Sequence, residues 1–295
     1  MSTYPGGKEA CHQKLINLIP PHQIYVEPFL GGGAIMRKKR PAKLNIGVEV
    51  NEDVLWLTAL KLDPDPIIID TFNNTRAGQL FDGRNPDQLK KAESRETVFA
   101  FIIGNALPFL SWFPVRDDRE TFIYCDPPYL RETRKSKAPL YKNEFWTEAE
   151  HLRLLDKLGN LDCNIMISGY KSDLYCDLLK GWHTYQFNQM TRGGGLAEEW
   201  VWMNYAPPTL LHDFSLLGDG FRERERIKRK KTRWVERFKK TDPQERAAIL
   251  WALAESGIIN RSAIELASPE AAMSTVTSAS SKSASMPAVA GASPE

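Results

Sequence analysis

Apolar residues along this chain gather in short runs rich in β-branched and aromatic side chains, set between segments with helical spacing. Such short runs predict buried strands, and the spaced segments predict helices packed on them. Residues 9–19 read as helix. Gln23-Ile24-Tyr25-Val26-Glu27, after Pro20-Pro21, reads as a strand, and Gly31-Gly32-Gly33 then opens a short helix. Lys43 to Val48 is a second strand ending at Glu49, followed by a helix over about 52–61 and a third strand at Ile67-Ile68-Ile69. Residues 86–107 read as mostly helical, because Val98, Phe99, Ile102 and Ile103 group with helical spacing. Thr121 to Cys125 and Asn164 to Ser168 are further buried strands. Between them Thr147 and Glu150 form a capping box for a helix. Residues 171–180 are helical, and His183–Phe187 and Glu199–Asn204 alternate as strands around Gly193-Gly194-Gly195. Strands alternating with helices predict an α/β, Rossmann-like, doubly wound and mostly parallel sheet. The last two strands predict an antiparallel edge hairpin.

The character changes near residue 207. Residues 221–240 form a basic helix, and a second helix starts at Asp242-Pro243 with proline in its first turn. Ile249, Leu250, Trp251 and Leu253 give that helix an apolar side, and Gly257 ends it. Residues 268–295 are rich in Ser, Ala and Pro without periodicity and are expected to be disordered. The domain division is therefore 1–206 for the sheet domain, 207–260 for a basic helical extension and 261–295 for a tail.

Composition narrows the class. Of 295 residues, 42% are hydrophobic, so a globular chain with a substantial core is expected. No apolar run approaches the ~18–20 residues needed to span a bilayer, and the first residues lack the apolar centre of a signal peptide. Cys11, Cys125, Cys163 and Cys176 show neither paired nor CxxC spacing, and the histidines are scattered. A reduced, cytoplasmic protein without a metal site is the simplest expectation. Residues 221–240 hold eleven Lys or Arg against three Glu, on a chain of net charge +2. A basic block of that kind suits a polyanion, although a solvated helix face has the same composition.

Asp126-Pro127-Pro128-Tyr129 follows the strand at 121–125. Two prolines stop the strand, since proline cannot donate to a ladder. The result is a rigid turn at a strand's carboxyl end, where open α/β sheets place their sites. It offers a carboxylate, carbonyls and an aromatic ring, which suit a planar ring bearing an amino group. Three other segments bear on it. Glu27-Pro28-Phe29-Leu30-Gly31-Gly32-Gly33 lets backbone approach a ligand closely, but it lacks the GxGxxG spacing of a dinucleotide site. Glu49, at the next strand end, suits ribose hydroxyls, or simply supplies negative charge to a helix start. Tyr4-Pro5-Gly6-Gly7-Lys8 joins an aromatic, a tight turn and a cation beside a helix start.

Together these segments resemble the Dam-type adenine-specific DNA methyltransferase family, over roughly residues 4–205. Tyr4 to Lys8 resembles the family's aromatic-x-Gly-Gly-Lys opening, and Glu27-Pro28-Phe29 with its glycines resembles its cofactor loop. Asp126 to Tyr129 is similar to its catalytic tetrapeptide, and Arg192–Gly195 through Glu199–Asn204 to its closing hairpin. The resemblance implies S-adenosyl-L-methionine as methyl donor. It places Tyr4, Lys8, Pro28, Phe29, Gly31, Glu49 and Asp126 at the cofactor, and Asp126, Pro127, Pro128 and Tyr129 at the catalytic turn. It implies methylation of the exocyclic N6 of adenine by in-line transfer to a base flipped out of DNA, and leaves a restriction endonuclease partner open. Asp126 and the Pro127 carbonyl would accept the two amine protons, and Tyr129 would stack on the base.

Only 77 positions separate Glu49 from Asp126, so a target-recognition region at about 70–120 must be short. The loop 131–143, with Arg131, Arg134, Lys135, Lys137 and Lys142, could grip phosphates near a displaced base. The basic helix is expected to strengthen DNA binding without setting sequence. An RNA methyltransferase and a noncatalytic DNA-binding protein of the same fold are the alternatives, and a monomer is the simplest state.

Overall fold

The computed structural model describes residues 7–70, 94–115, 120–133, 147–190 and 195–257. Eight strands form one sheet: β1 Ile24–Glu27, β2 Leu44–Glu49, β3 Ile67–Asp70, β4 Val98–Ile103, β5 Thr121–Cys125, β6 Asn164–Gly169, β7 His183–Met190 and β8 Leu196–Met203. Their spatial order is β3-β4-β2-β1-β5-β6-β8-β7. The first six are parallel; β8 runs antiparallel to β6, and β7 antiparallel to β8. This is the doubly wound sheet with an edge hairpin that the sequence predicts.

Along β1, β2, β4, β5 and β6 the buried runs are continuous because helices cover both faces, whereas the edge strand β7 keeps most of its residues exposed. Along β5, Ile123 and Cys125 enter one core, while Phe122 and Tyr124 enter the other. The first core is closed by α4 (Ala106–Trp112), through Phe109 and Leu110, and by α5 (Glu148–Gly159), through Leu154, Leu155 and Leu158. The second is closed by α1 (His12–Ile16), α2 (Ala34–Lys38) and α3 (Glu52–Leu62), through Leu15, Ile16, Ile35, Met36, Leu55 and Ala59. Each fully buried aliphatic side chain stabilises by roughly 1.5–3 kcal/mol. The Thr147–Glu150 capping box opens α5 as expected. Short helix α6 spans Asp173–Leu178.

The structure corrects the reading of 86–107 as helix. Val98–Ile103 is strand β4, inserted between β2 and β3. All six of its residues are buried, so it has no alternating face to betray a strand. Chance placement of Val98, Phe99, Ile102 and Ile103 mimics helical spacing. β4 and α4 thus take up residues 98–112 of the interval expected to read the target. Residues 71–93 lie outside the described residues, as do residues 258–295, which hold the Ser/Ala/Pro-rich stretch at 268–295. The expected helix at 9–19 is split: a 3-10 turn at Lys8–Ala10, then α1 after Cys11 leaves helical geometry.

Residues 1–241 form one compact unit and 242–295 another. The first includes the basic helix α7, Phe221–Lys240. The second includes α8, Pro243–Glu255, capped by the Asp242 carboxylate on the Gln244 and Glu245 amides. Gly257, at φ +70°, follows it as a left-handed stop. No helix among the described residues is long and apolar enough to cross a membrane.

Candidate active site

β1 and β5 lie side by side, yet the chain leaves β1 toward β2 on one side and β5 toward β6 on the other. A crevice opens at such a switch point, outside the carboxyl ends of the strands. Glu27 ends β1 there, and Asp126 follows the last residue of β5.

Asp126 is largely enclosed, its side chain 18% exposed. Lys8 Nζ sits on both its oxygens, at 2.6 Å from Oδ1 and 2.7 Å from Oδ2. The same ammonium donates to the Tyr129 hydroxyl at 2.7 Å and lies 3.1 Å from Glu199 Oε1. The Tyr129 hydroxyl in turn donates to Glu199. From β6, Ser168 Oγ reaches Asp126 Oδ1 at 3.0 Å and shares a hydrogen bond of 2.9 Å with the Tyr124 hydroxyl. Burial lowers the Lys8 pKa, but the Asp126 and Glu199 carboxylates more than offset it and hold the ammonium charged, well above its usual pKa. Burial pushes the Asp126 carboxyl up, and Lys8 opposes this. Among the described residues, one cation against two carboxylates leaves the cluster a net negative site.

A carboxylate has about four lone-pair positions. Lys8 and Ser168 fill both on Asp126 Oδ1, and Lys8 fills one on Oδ2. Among the described residues, one acceptor position therefore remains for a ligand, on Oδ2. Tyr170 meets Tyr129 edge-on, with ring centroids 4.6 Å apart. A small cavity beyond them is bounded by Tyr129, Leu130, His151, Gly169, Tyr170 and Tyr175.

Across the crevice the glycine loop is fastened to β2 and α3. Gly31 N donates to Glu49 Oε2 at 2.9 Å, Asn51 N donates to Oε1 at 2.9 Å, and Thr58 Oγ1 donates to the Gly31 carbonyl at 2.9 Å. Glu49 is buried, and that burial raises its pKa. Gly31 and Gly33 have φ of 48° and 57°, the left-handed region where L side chains are strained. A Cβ on Gly33 would lie 2.7 Å from Thr58 Cγ2. Gly33→Ala is therefore expected to cost at least ~1–2 kcal/mol from backbone strain alone. It should also weaken ligand binding, since relief of the clash displaces the loop. Thermal melting and calorimetry on the variant check both; an unchanged melting temperature would show that the loop tolerates the methyl. Burial also lifts the Glu27 carboxyl to about 8, and it accepts a hydrogen bond from the Tyr25 hydroxyl.

The structure thus joins Lys8, Asp126 and Tyr129 in one cluster and Gly31 with Glu49 in another. Pro28 and Pro127 are buried backbone supports, Pro128 is half-buried, and Phe29 packs on the core. Tyr4 lies outside the described residues, as do Arg134, Lys135, Lys137 and Lys142 of the basic loop and Arg192 to Gly194 of the hairpin. Glu199 and Ser168 were not singled out from sequence as site residues. Their one signal is a polar residue inside an apolar strand: Glu199 precedes Trp200-Val201-Trp202-Met203, and Ser168 follows Ile165-Met166-Ile167.

A family model for the D12 class of N6 adenine-specific DNA methyltransferases matches residues 4–82 and 111–192. The Type II methyltransferase M1.LlaDCHI of Lactococcus lactis subsp. cremoris is 22% identical over 251 residues, covering 65% of this chain and 88% of its own. Among solved structures, a SAM-dependent methyltransferase from Agrobacterium tumefaciens is 11% identical at a TM-score of 0.35, over 66% of this chain and 60% of that one. TrmK of M. capricolum, solved with S-adenosyl-homocysteine, is 9% identical at a TM-score of 0.37, over 79% and 88% of the two chains.

Proposed function

This chain belongs to the D12 class N6 adenine-specific DNA methyltransferase family, and on that premise we propose that it transfers a methyl group from S-adenosylmethionine to N6 of an adenine swung out of duplex DNA. The observation that carries this reading is the Asp126 carboxylate, fixed at the switch point by Lys8 and Ser168 with one acceptor position unfilled.

The residues present fit the cofactor. The net negative Lys8–Asp126–Glu199 cluster favours a cationic ligand. Glu49, anchored by two backbone amides, offers its remaining lone pairs to hydroxyls beside a glycine loop that admits close approach. Lys8, Pro28, Phe29, Gly31, Glu49 and Asp126, with Tyr4, would hold it. When bound, it supplies an electrophilic methyl on a positively charged sulfur.

The chain's own part is positioning. Adenine's exocyclic nitrogen is a poor nucleophile because its lone pair is delocalised into the ring. Asp126 Oδ2 accepts one of its N–H groups and the Pro127 carbonyl the other. Held in that way, the nitrogen turns its lone pair out of the ring plane. Tyr129 stacks on the base, worth ~1–3 kcal/mol, with its hydroxyl pinned between Lys8 and Glu199. A largely enclosed carboxylate cannot reach a base inside the helix, which supports flipping. The similarity to a Type II methyltransferase supports a role beside a restriction endonuclease, with residues 71–93 left to contribute to target choice.

The test is transfer of labelled methyl to unmethylated plasmid DNA, with the product mapped to N6 of adenine. Label in structured RNA instead of DNA would overturn the reading. Tyr129→Ala is expected to lower kcat/KM by roughly 10-fold, from the loss of ~1–3 kcal/mol of stacking. The loss should be larger on paired than on mismatched adenine, and equal losses on both would argue against stacking.

A further inference from the structure

Helix α7 lies beyond the segments matched by the family model, and its side chains are sorted by face. Arg222, Arg226, Arg229, Arg233, Arg237 and Lys240 recur at spacings of four, three, four, four and three, so they line one side of the helix. All six are exposed, and every residue from 228 to 237 is exposed. The other side is tied down. Arg224 Nη1 donates to the Gly218 carbonyl at 3.3 Å, and Lys231 Nζ to the Phe214 carbonyl at 3.1 Å. At about 100° per residue these two lie roughly 160–180° around the helix from the centre of the stripe. The arginines therefore face away from the body.

The support for α7 is fixed at a definite edge of the sheet. His212 N donates to the Ile19 carbonyl, Arg40 N to Asp213, Asn17 to the Leu216 carbonyl and the Tyr205 hydroxyl to the Leu18 carbonyl. Residues 17–19 lead into β1 and Arg40 leads into β2, so these contacts lie at the amino ends of the parallel strands. The catalytic turn lies at the carboxyl ends. The arginine helix is thus rooted on the opposite edge from the site at Asp126.

We propose that this stripe is a second duplex-binding surface, separate from the catalytic crevice, which holds DNA phosphates without reading sequence. Its choice of DNA rests on the function proposed above; its existence rests on the helix. Arginine forks pair with phosphate oxygens in two-point fashion. The stripe runs ~27 Å, and duplex DNA presents a charge about every 1.7 Å of axis. An anionic membrane is a poorer occupant, since Ile227, Val235 and Phe238 lie on the tethered side and the exposed Phe221 and Trp234 lie on opposite flanks, so no apolar face accompanies the arginines.

The test uses the full chain and two variants that each lose two charges: Arg229→Gln/Arg233→Gln on the stripe, and Lys228→Gln/Lys239→Gln off it. Binding to a labelled random-sequence duplex of about 40 base pairs is measured by anisotropy across a salt series. The stripe variant should flatten the slope of log affinity against log salt by about 2, at ~0.9 per phosphate contact, with the off-stripe slope unchanged. Equal flattening in both variants would reduce the stripe to diffuse charge, and no change in either would remove the surface; both results overturn the proposal. Tighter binding of an RNA hairpin than of the duplex, lost in the stripe variant, would overturn it in favour of RNA. If the stripe variant behaves as expected while the wild type transfers no methyl to DNA, the surface stands and the function proposed above fails.

Discussion

Asp126→Ala is expected to lower kcat for methyl transfer by about 100- to 1,000-fold, the range for removing one preorganised group that acts on developing charge. In the proposed reaction the carboxylate accepts an amine N–H and faces the positive charge that grows on the nitrogen as the methyl arrives. Alanine offers neither. The fold should survive, for a reason specific to this cluster. Truncation leaves Lys8 paired with Glu199, one charge against one, with the Tyr129 hydroxyl still between them. Asp126→Asn keeps an oxygen acceptor but loses the charge, so its activity should fall between alanine and wild type. Single-turnover transfer of labelled methyl, beside circular dichroism of each preparation, measures both effects. Turnover like wild type from a folded Asp126→Ala preparation would remove Asp126 from the chemistry.

The parts of this site that stand at strand ends were legible in sequence. A carboxylate or glycine turn directly after an apolar run is placed at a sheet edge by the strand before it, so Asp126, Gly31 and Glu49 could be found one run at a time. Glu199 could not. Its place beside Asp126 depends on β8 entering antiparallel against β6 with Trp200 opposite Gly169. Asp126 and Glu199 are 73 residues apart, and nothing local sets that register. Ser168 is hidden for a related reason, because only the β5–β6 pairing turns it toward Asp126. Strand β4 was missed through burial, since a strand covered on both faces shows no period of two. Lys8 was expected at the cofactor on resemblance; the distances that tie it to the Asp126 carboxylate come only from the folded chain.

Lys8→Met should be the most damaging single change to stability in the site, and its effect should depend on pH in a definite direction. The side chain is buried, 5% exposed, and is the cation shared by Asp126 and Glu199. Removing one partner of a buried pair typically costs ~3–5 kcal/mol, because the other charge is left uncompensated. The sign follows from linkage. Lys8 has a folded pKa above its unfolded value, so its stabilisation is complete below about 10.5 and is lost only as pH rises through the raised value. Wild type therefore keeps the full contribution through the neutral range. In the variant, burial already favours protonation of Asp126 and nothing opposes it through Lys8. The stability gap between the two proteins should be widest where Asp126 is ionised and should narrow as pH falls, as protonation relieves the unpaired charge. Activity should move with it. In the proposed reaction Asp126 opposes the growing positive charge only when ionised, so the acidic limb of the kcat/KM profile is expected to shift to higher pH in Lys8→Met. Urea unfolding at pH 5 and pH 8, with rate profiles over the same range, gives both readings. A gap that is the same at the two pH values, with an unmoved acidic limb, would mean that Lys8 fills space in the crevice and does not govern the charge of Asp126.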